Sequence, residues 1–158
     1  MGNAFLVSFE RGSFEHKMLK IGGHAPKTVW QGMGNLRSRG LLRKNGGRYH
    51  FTQKGKKWVE ASQFKHLKIE PHPWDGKWRV VIFDIPESLR TKRELFRSKL
   101  KSLDFHMVQK SVFAMPFRCE KEIAIVCDYL EIEEYANVLI CESLGDLEHR
   151  LKRQYDLA

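Results

Sequence analysis

The stretch Trp78-Arg79-Val80-Val81-Ile82-Phe83-Asp84-Ile85-Pro86-Glu87 reads as an apolar strand that ends on a carboxylate. The nearly continuous apolar run from Trp78 to Phe83 predicts a strand covered on both faces. Asp84 ends it. Glu87 or Ser88 then opens a helix that runs to about Leu103, with Leu89, Phe96, Leu100 and Leu103 as its core-facing stripe. The other face of that helix carries Arg90, Lys92, Arg93, Arg97, Lys99 and Lys101, against Glu94 alone.

Downstream, Phe105 to Gln109 and Ser111 to Phe117 predict two more strands. Glu120 to Leu130 predicts a second helix, packed through Ile123, Val126, Cys127 and Leu130. Asn137 to Cys141 predicts a fourth strand, and residues 145–155 a charged terminal helix. The order βαββαβ is the ferredoxin-like arrangement, so residues 78–158 are expected to form one α+β domain. A carboxylate where a strand gives way to a helix stands where α/β-type sheets present chemistry to solvent. Asp84 is therefore the candidate catalytic residue of this half. The plainer alternative is that it caps a turn or the next helix. Ser111 reads as a strand hydroxyl, because no histidine lies at a suggestive position.

Upstream of the strand the character changes. Pro71 and Pro73 impose extended backbone, and Asp75-Gly76 signals a turn just before Trp78. Residues 71–77 are expected to be a linker, and His72 a linker residue. Residues 1–70 are then a domain of their own. Pro26 sits in the first turn of a helix that starts near His24-Ala25, with Val29, Met33 and Leu36 as its buried stripe and Gly40 as its left-handed cap. Asn45-Gly46-Gly47 between Leu41-Leu42-Arg43-Lys44 and Arg48-Tyr49-His50-Phe51 is a hairpin signal. Thr52 caps a further helix through Trp58 and Val59. Residues 3–22 are expected to supply the preceding helices.

Charge divides along the same line. Residues 1–73 hold 14 Lys/Arg and 4 Asp/Glu, a net +10, whereas residues 74–158 hold 14 and 15, a net −1. A cationic module joined to a near-neutral one fits a polyanion partner, and double-stranded DNA is the expected one. Lys27, Arg37, Arg39, Arg43, Lys44 and Arg48 are placed to neutralise phosphates, while Thr28, Gln31 and Asn35 are placed to reach base edges. Arg93 and Arg97 are further phosphate candidates in the second half. The alternative for the first half is a protein-docking module.

No apolar run approaches the roughly 20 residues of a membrane span, and no charged-then-apolar leader opens the chain. Cys119, Cys127 and Cys141 are odd in number and widely spaced. That pattern argues for free thiols in a reducing compartment, so a cytoplasmic location without membrane association is expected. The seven histidines show no zinc-ligand spacing.

Helix, hairpin with a basic tip, helix is the winged helix-turn-helix plan, and Leu36 to Gly55 resembles the wing region of bacterial winged-helix regulators. The second half resembles two related families. Val81-Ile82-Phe83-Asp84, Arg93 and Gln109-Lys110-Ser111-Val112-Phe113 are similar to motifs of the CRISPR-associated Cas-two nuclease and integration subunit. Trp74-Asp75-Gly76-Lys77-Trp78-Arg79 behind a winged helix resembles the phenylacetate-catabolism repressors, the PaaX-like regulators, which carry a Cas-two-like central domain. The layout is closer to the PaaX-like plan. Those repressors carry a further C-terminal domain that is not expected here, and most stand-alone Cas-two proteins lack the winged helix.

The resemblance implies a homodimer through the C-terminal domain, with two copies of Asp84 facing across the axis. It leaves two expectations of different class. The first is a dimeric DNA-binding transcriptional regulator that needs no cofactor for DNA binding. The second is a Cas-two-type endonuclease or CRISPR-adaptation subunit, in which Asp84 holds Mg²⁺ or Mn²⁺ and a CRISPR-adaptation partner joins.

Overall fold

The computed structural model describes residues 26–157, with side chains from Trp30 onward. The helices expected over residues 3–22, and the helix start at His24-Ala25, lie outside the described residues. The chain forms two compact units that divide between Gln63 and Phe64. That division falls ahead of the prolines where the sequence changes character.

In the first unit, helix α1 (Pro26–Ser38) leads to strands β1 (Leu42–Asn45) and β2 (Arg48–Phe51), and then to helix α2 (Gln53–His66), which runs across the division. Met33 is buried and Leu36 half-buried on α1, as the stripe predicts, while Gln31, Asn35 and Arg37 are exposed. Gly40 ends α1 with φ +69°. Its N–H donates to Arg37 O and the N–H of Leu41 to Leu36 O, both at 2.8 Å. This crossed pair of bonds satisfies carbonyls that the helix leaves open, and it requires a left-handed residue between them.

The hairpin turns on Gly46 (φ +55°) and Gly47 (φ +82°). Two positive φ values in a two-residue loop define the type I′ turn, whose twist matches that of the paired strands. Thr52 then caps α2. Its hydroxyl oxygen accepts the Gly55 N–H at 3.0 Å and donates to Gly40 O at 2.7 Å.

The second unit is built on a four-stranded sheet ordered β4-β5-β3-β6, every pair antiparallel. Its strands are β3 (Trp78–Phe83), β4 (His106–Gln109), β5 (Val112–Met115) and β6 (Ala136–Cys141). Helix α3 (Arg90–Ser102) links β3 to β4, and α4 (Glu120–Leu130) links β5 to β6. Element order is thus strand-helix-strand-strand-helix-strand, and the protein combines helices with antiparallel sheets. Alternation along β3 splits the core in two. Val81 and Phe83 join Phe96 and Leu100 of α3 and Ile123 and Val126 of α4. Trp78 and Val80 point the other way, toward Leu151 of the terminal helix α5 (Glu148–Gln154).

Several boundaries are tighter than the sequence predicts. Residues Glu87–Leu89 form a 3₁₀ turn before α3 rather than its first turn. The strand expected from Phe105 begins at His106, because the Phe105 N–H is used to close α3 by donating to Leu100 O at 3.1 Å. The strand expected over Ser111–Phe117 spans Val112–Met115, and Gly145–Leu147 forms a 3₁₀ turn before α5.

Helices α3, α4 and α5 all end as α1 does, but on a non-glycine residue: Asp104 (φ +63°), Glu131 (φ +51°) and Asp156 (φ +52°). In each, the N–H of the residue after the left-handed one donates to the carbonyl five positions back. Phe105 bonds Leu100 O, Ile132 bonds Cys127 O and Leu157 bonds Lys152 O.

Candidate nucleic-acid interface

The first unit presents its cations on the exposed parts of α1, the hairpin and the start of α2. Gln31, Asn35, Arg37, Arg39, Arg43, Lys44 and Arg48 are all exposed. Lys27 and Thr28 fall in the first turn of α1, where their side chains lie outside the described part. From Pro26 to Gln63 the sequence holds Lys27, Arg37, Arg39, Arg43, Lys44, Arg48, Lys54, Lys56 and Lys57 against a single carboxylate, Glu60. Neutralisation within this stretch is therefore out of reach.

Packing fixes part of the surface. The Arg39 guanidinium lies 5.5 Å from the Trp58 ring centre, and Lys54 Nζ donates to Arg39 O at 3.1 Å. Lys44 Nζ lies 5.9 Å from the Tyr49 ring, which itself packs on Trp30 at 6.4 Å. These contacts tie the hairpin to α1 and the end of α1 to α2.

In the second unit, Asp84 sits just past the end of β3. Its N–H donates to Tyr135 O at 2.9 Å, while the N–H of Phe83 donates to Ser111 O at 3.1 Å. The strand end is thus held from both sides, and the Asp84 side chain is exposed. Among the described residues no side chain hydrogen-bonds or ion-pairs with its carboxylate. The described residues also bring no group of three or more His, Cys, Asp or Glu together that could hold a metal ion.

Arg93 and Arg97 have partners inside the unit. Arg93 donates to Ile85 O at 3.0 Å and to Glu87 Oε2 at 2.5 Å, which pins the loop that follows Asp84. This contact lowers the pKa of the Glu87 carboxyl below its ordinary value. Arg97 donates to Lys110 O at 2.8 Å and to Glu94 at 2.7 Å, and lies 5.8 Å from the Phe83 ring. Arg93 thus braces the loop after β3, and Arg97 the β4–β5 turn.

Arg79, His72 and Lys99, none of which the sequence marks as a site residue, carry the structure of this unit. Arg79, inside the apolar strand, is only 3% exposed. It forks onto Asp75 and reaches Glu120 with Nε at 3.2 Å. A lone arginine in an otherwise apolar run, four residues after an aspartate, was the available signal. His72 accepts the Arg118 N–H on Nε2 at 2.9 Å, and its ring meets Phe117 edge-on at 5.5 Å. Residues 72–75 are thereby fastened to the sheet domain. Lys99, 7% exposed, directs Nζ at Lys65 O (3.5 Å) and Leu67 O (3.4 Å) over the Phe64 ring. A cation there complements the carbonyl end of α2, and burial lowers its pKa below the ordinary lysine value.

An antiparallel βαββαβ sheet with an exposed aspartate at the end of its first strand defines a class of domain. The family model of the PaaX protein central Cas2-like domain matches residues 71–152, more than half of the chain, and the chain belongs to that family. A comparison with curated proteins gives no match. Among the described residues no helix is long and apolar enough to cross a membrane.

Proposed function

We propose that the chain is a cytoplasmic DNA-binding transcriptional regulator of PaaX-like type, acting as a homodimer through its Cas2-like, ferredoxin-like unit. The first unit is read as a winged helix-turn-helix. The two copies grip half-sites related by the twofold axis of the dimer. On α1, Thr28, Gln31 and Asn35 reach base edges. Lys27, Arg37, Arg39, Arg43, Lys44 and Arg48 neutralise phosphates, and no cofactor is required.

The observation that carries this reading is the charge of residues 26–63, where Glu60 stands alone against the cations, beside a unit of the PaaX family. The test is a titration of the full chain on duplex DNA at several salt concentrations. Six to ten phosphate contacts make affinity fall about 10³–10⁵-fold between 50 and 200 mM salt. Salt-independent binding, or none, overturns the reading.

A second reading rests on the exposed Asp84 carboxylate with no side-chain partner among the described residues. A metal-dependent endonuclease or CRISPR-adaptation subunit of Cas2 type would use Asp84 from two copies to hold Mg²⁺ or Mn²⁺. Cleavage of DNA or RNA with either ion, lost in Asp84→Asn, supports it. Equal cutting by both proteins, or by neither, removes it.

A further inference from the structure

We propose that the cleft between residues 72–74 and the end of α5 binds a small organic cation, an apolar body that carries one ammonium or amidinium group, with Asp156 as its counter-ion. The cleft lies wholly within the second unit. The proposal is independent of the nucleic-acid reading above.

The aromatic residues involved come from three separate stretches of chain. His72 and Trp74 stand beside prolines ahead of β3, Phe117 follows β5, and Tyr155 follows α5. Folding brings them around one cleft of about 320 Å³, which Pro73 and Leu157 complete. That size suits a small ligand. His72 meets Phe117 edge-on at 5.5 Å, and Phe117 meets Tyr155 edge-on at 6.2 Å. Trp74 packs on Trp78 at 5.4 Å. Each ring is braced by another, so the walls are set before a ligand arrives.

The chemistry of the lining follows by elimination. Trp74 Nε1 donates to Lys77 O at 3.0 Å, and the Tyr155 hydroxyl donates to Asp104 O at 2.6 Å. Both nitrogens of His72 are committed. Nε2 accepts the Arg118 N–H at 2.9 Å, so Nδ1 carries the hydrogen and donates to Pro73 O at 3.0 Å. Every ring heteroatom thus has a partner inside the protein, and a ligand meets mainly ring surface.

Asp156 is the exception. Its side chain is exposed, and among the described residues no side chain hydrogen-bonds or ion-pairs with its carboxylate. Two cations beside the cleft are already paired. Lys152 Nζ, 5.0 Å from the Trp74 ring, meets Glu148 at 2.9 Å, and Arg118 Nε meets Asp75 at 3.3 Å. Arg153, exposed on α5, does not line the cleft. Aromatic walls with one unpaired negative charge attract a cation twice, through the ring quadrupoles and through the carboxylate. The same carboxylate repels an anion.

The experiment follows the Trp74 indole N–H of the full chain by NMR during titration with benzyltrimethylammonium, benzyl alcohol or benzoate. The ammonium should shift that signal saturably and bind about fivefold tighter than the alcohol. Benzoate should bind more weakly than either. Asp156 holds φ +52°, and Asp156→Asn keeps a residue that tolerates left-handed backbone. This variant should weaken the ammonium about threefold to fivefold and leave the alcohol unchanged. Signals elsewhere that superimpose on wild type show that the variant is folded, and the three-probe comparison on wild type stands even if it is not. No saturable shift at Trp74, equal binding of the three probes, or wild-type affinity for the ammonium in folded Asp156→Asn overturns the proposal.

Discussion

The Arg79 guanidinium and the Asp75 carboxylate meet fork to fork, Nη1 to Oδ1 at 2.6 Å and Nη2 to Oδ2 at 2.7 Å. Arg79 is buried in the central strand, and Asp75 lies in the turn that precedes it. The same carboxylate oxygen that takes Nη1 also accepts the Lys77 N–H at 3.1 Å. Bidentate charge-assisted bonds of this kind are both strong and geometrically selective. The Arg79 contact holds the Asp75 carboxyl well below the usual carboxylate range. Replacing Asp75 by Ala leaves Glu120 as the remaining carboxylate partner, and should cost about 2–4 kcal/mol in urea unfolding. Because the folded-state pKa is depressed, the Asp75 contribution is present above about pH 4 and declines as pH falls below the ordinary aspartate value. The gap between wild type and Asp75→Ala should therefore narrow in unfolding titrations run progressively below pH 4.

Gly55→Ala should disrupt the first unit. A Cβ at Gly55 would lie 2.0 Å from Leu41 O and 2.9 Å from Leu41 C, both backbone atoms. Neither can move without disturbing the Thr52 N–H bond to Leu41 O at 3.0 Å. The expected loss is about 2 kcal/mol or more. It should appear as lost hydrogen-exchange protection in α2 and the hairpin, while β3 and β5 keep theirs. Unchanged protection near Leu41 would show that the approach is looser than described.

Asp104→Gly should stabilise the protein. Asp104 holds φ +63° at the end of α3, a conformation that disfavours any side chain. Glycine relieves that strain at some gain in unfolded-chain entropy. A net increase of about 0.5–1 kcal/mol is expected, read as a higher midpoint in thermal unfolding. Tyr155, whose hydroxyl donates to Asp104 O at 2.6 Å, keeps that bond because it is made to the backbone.

The three thiols should differ in reactivity. Burial pushes Cys119 up to about 12 and Cys127 up to about 11, so neither forms thiolate near neutral pH. Cys141 is half-buried on the edge strand β6. Brief alkylation of native protein at pH 8 should label Cys141 alone, with all three labelled after denaturation, as read by mass spectrometry. Early labelling at Cys119 would contradict the packing under β3.

Much of the second unit was legible in order of residues alone. The Trp78–Phe83 run, the stripe of Phe96 and Leu100, and the helix through Ile123 and Val126 each encode one element by local period. Gly40 and Asn45-Gly46-Gly47 likewise encode their own turns, because glycine takes positive φ without steric cost. The roles of Arg93 and Arg97 were not legible. Spacing set them on the polar side of a basic helix, as phosphate candidates, but their acceptors are Ile85 O, Glu87, Glu94 and Lys110 O. Lys110 is brought to Arg97 only by the β4–β5 turn folding back onto α3.

Periodicity and turn chemistry by themselves determined where β3 stops, that Asp84 follows it, and that cations gather ahead of Pro71, since each depends on near neighbours in the chain. Tertiary structure decided which charges are spoken for. Arg79 finds Glu120, Lys99 finds the carbonyls of Lys65 and Leu67, and His72 finds the Arg118 N–H. The physical reason is that a buried or half-buried polar group takes whichever partner the packed sheet and helices bring within about 3 Å, and separation along the chain carries almost no information about that distance.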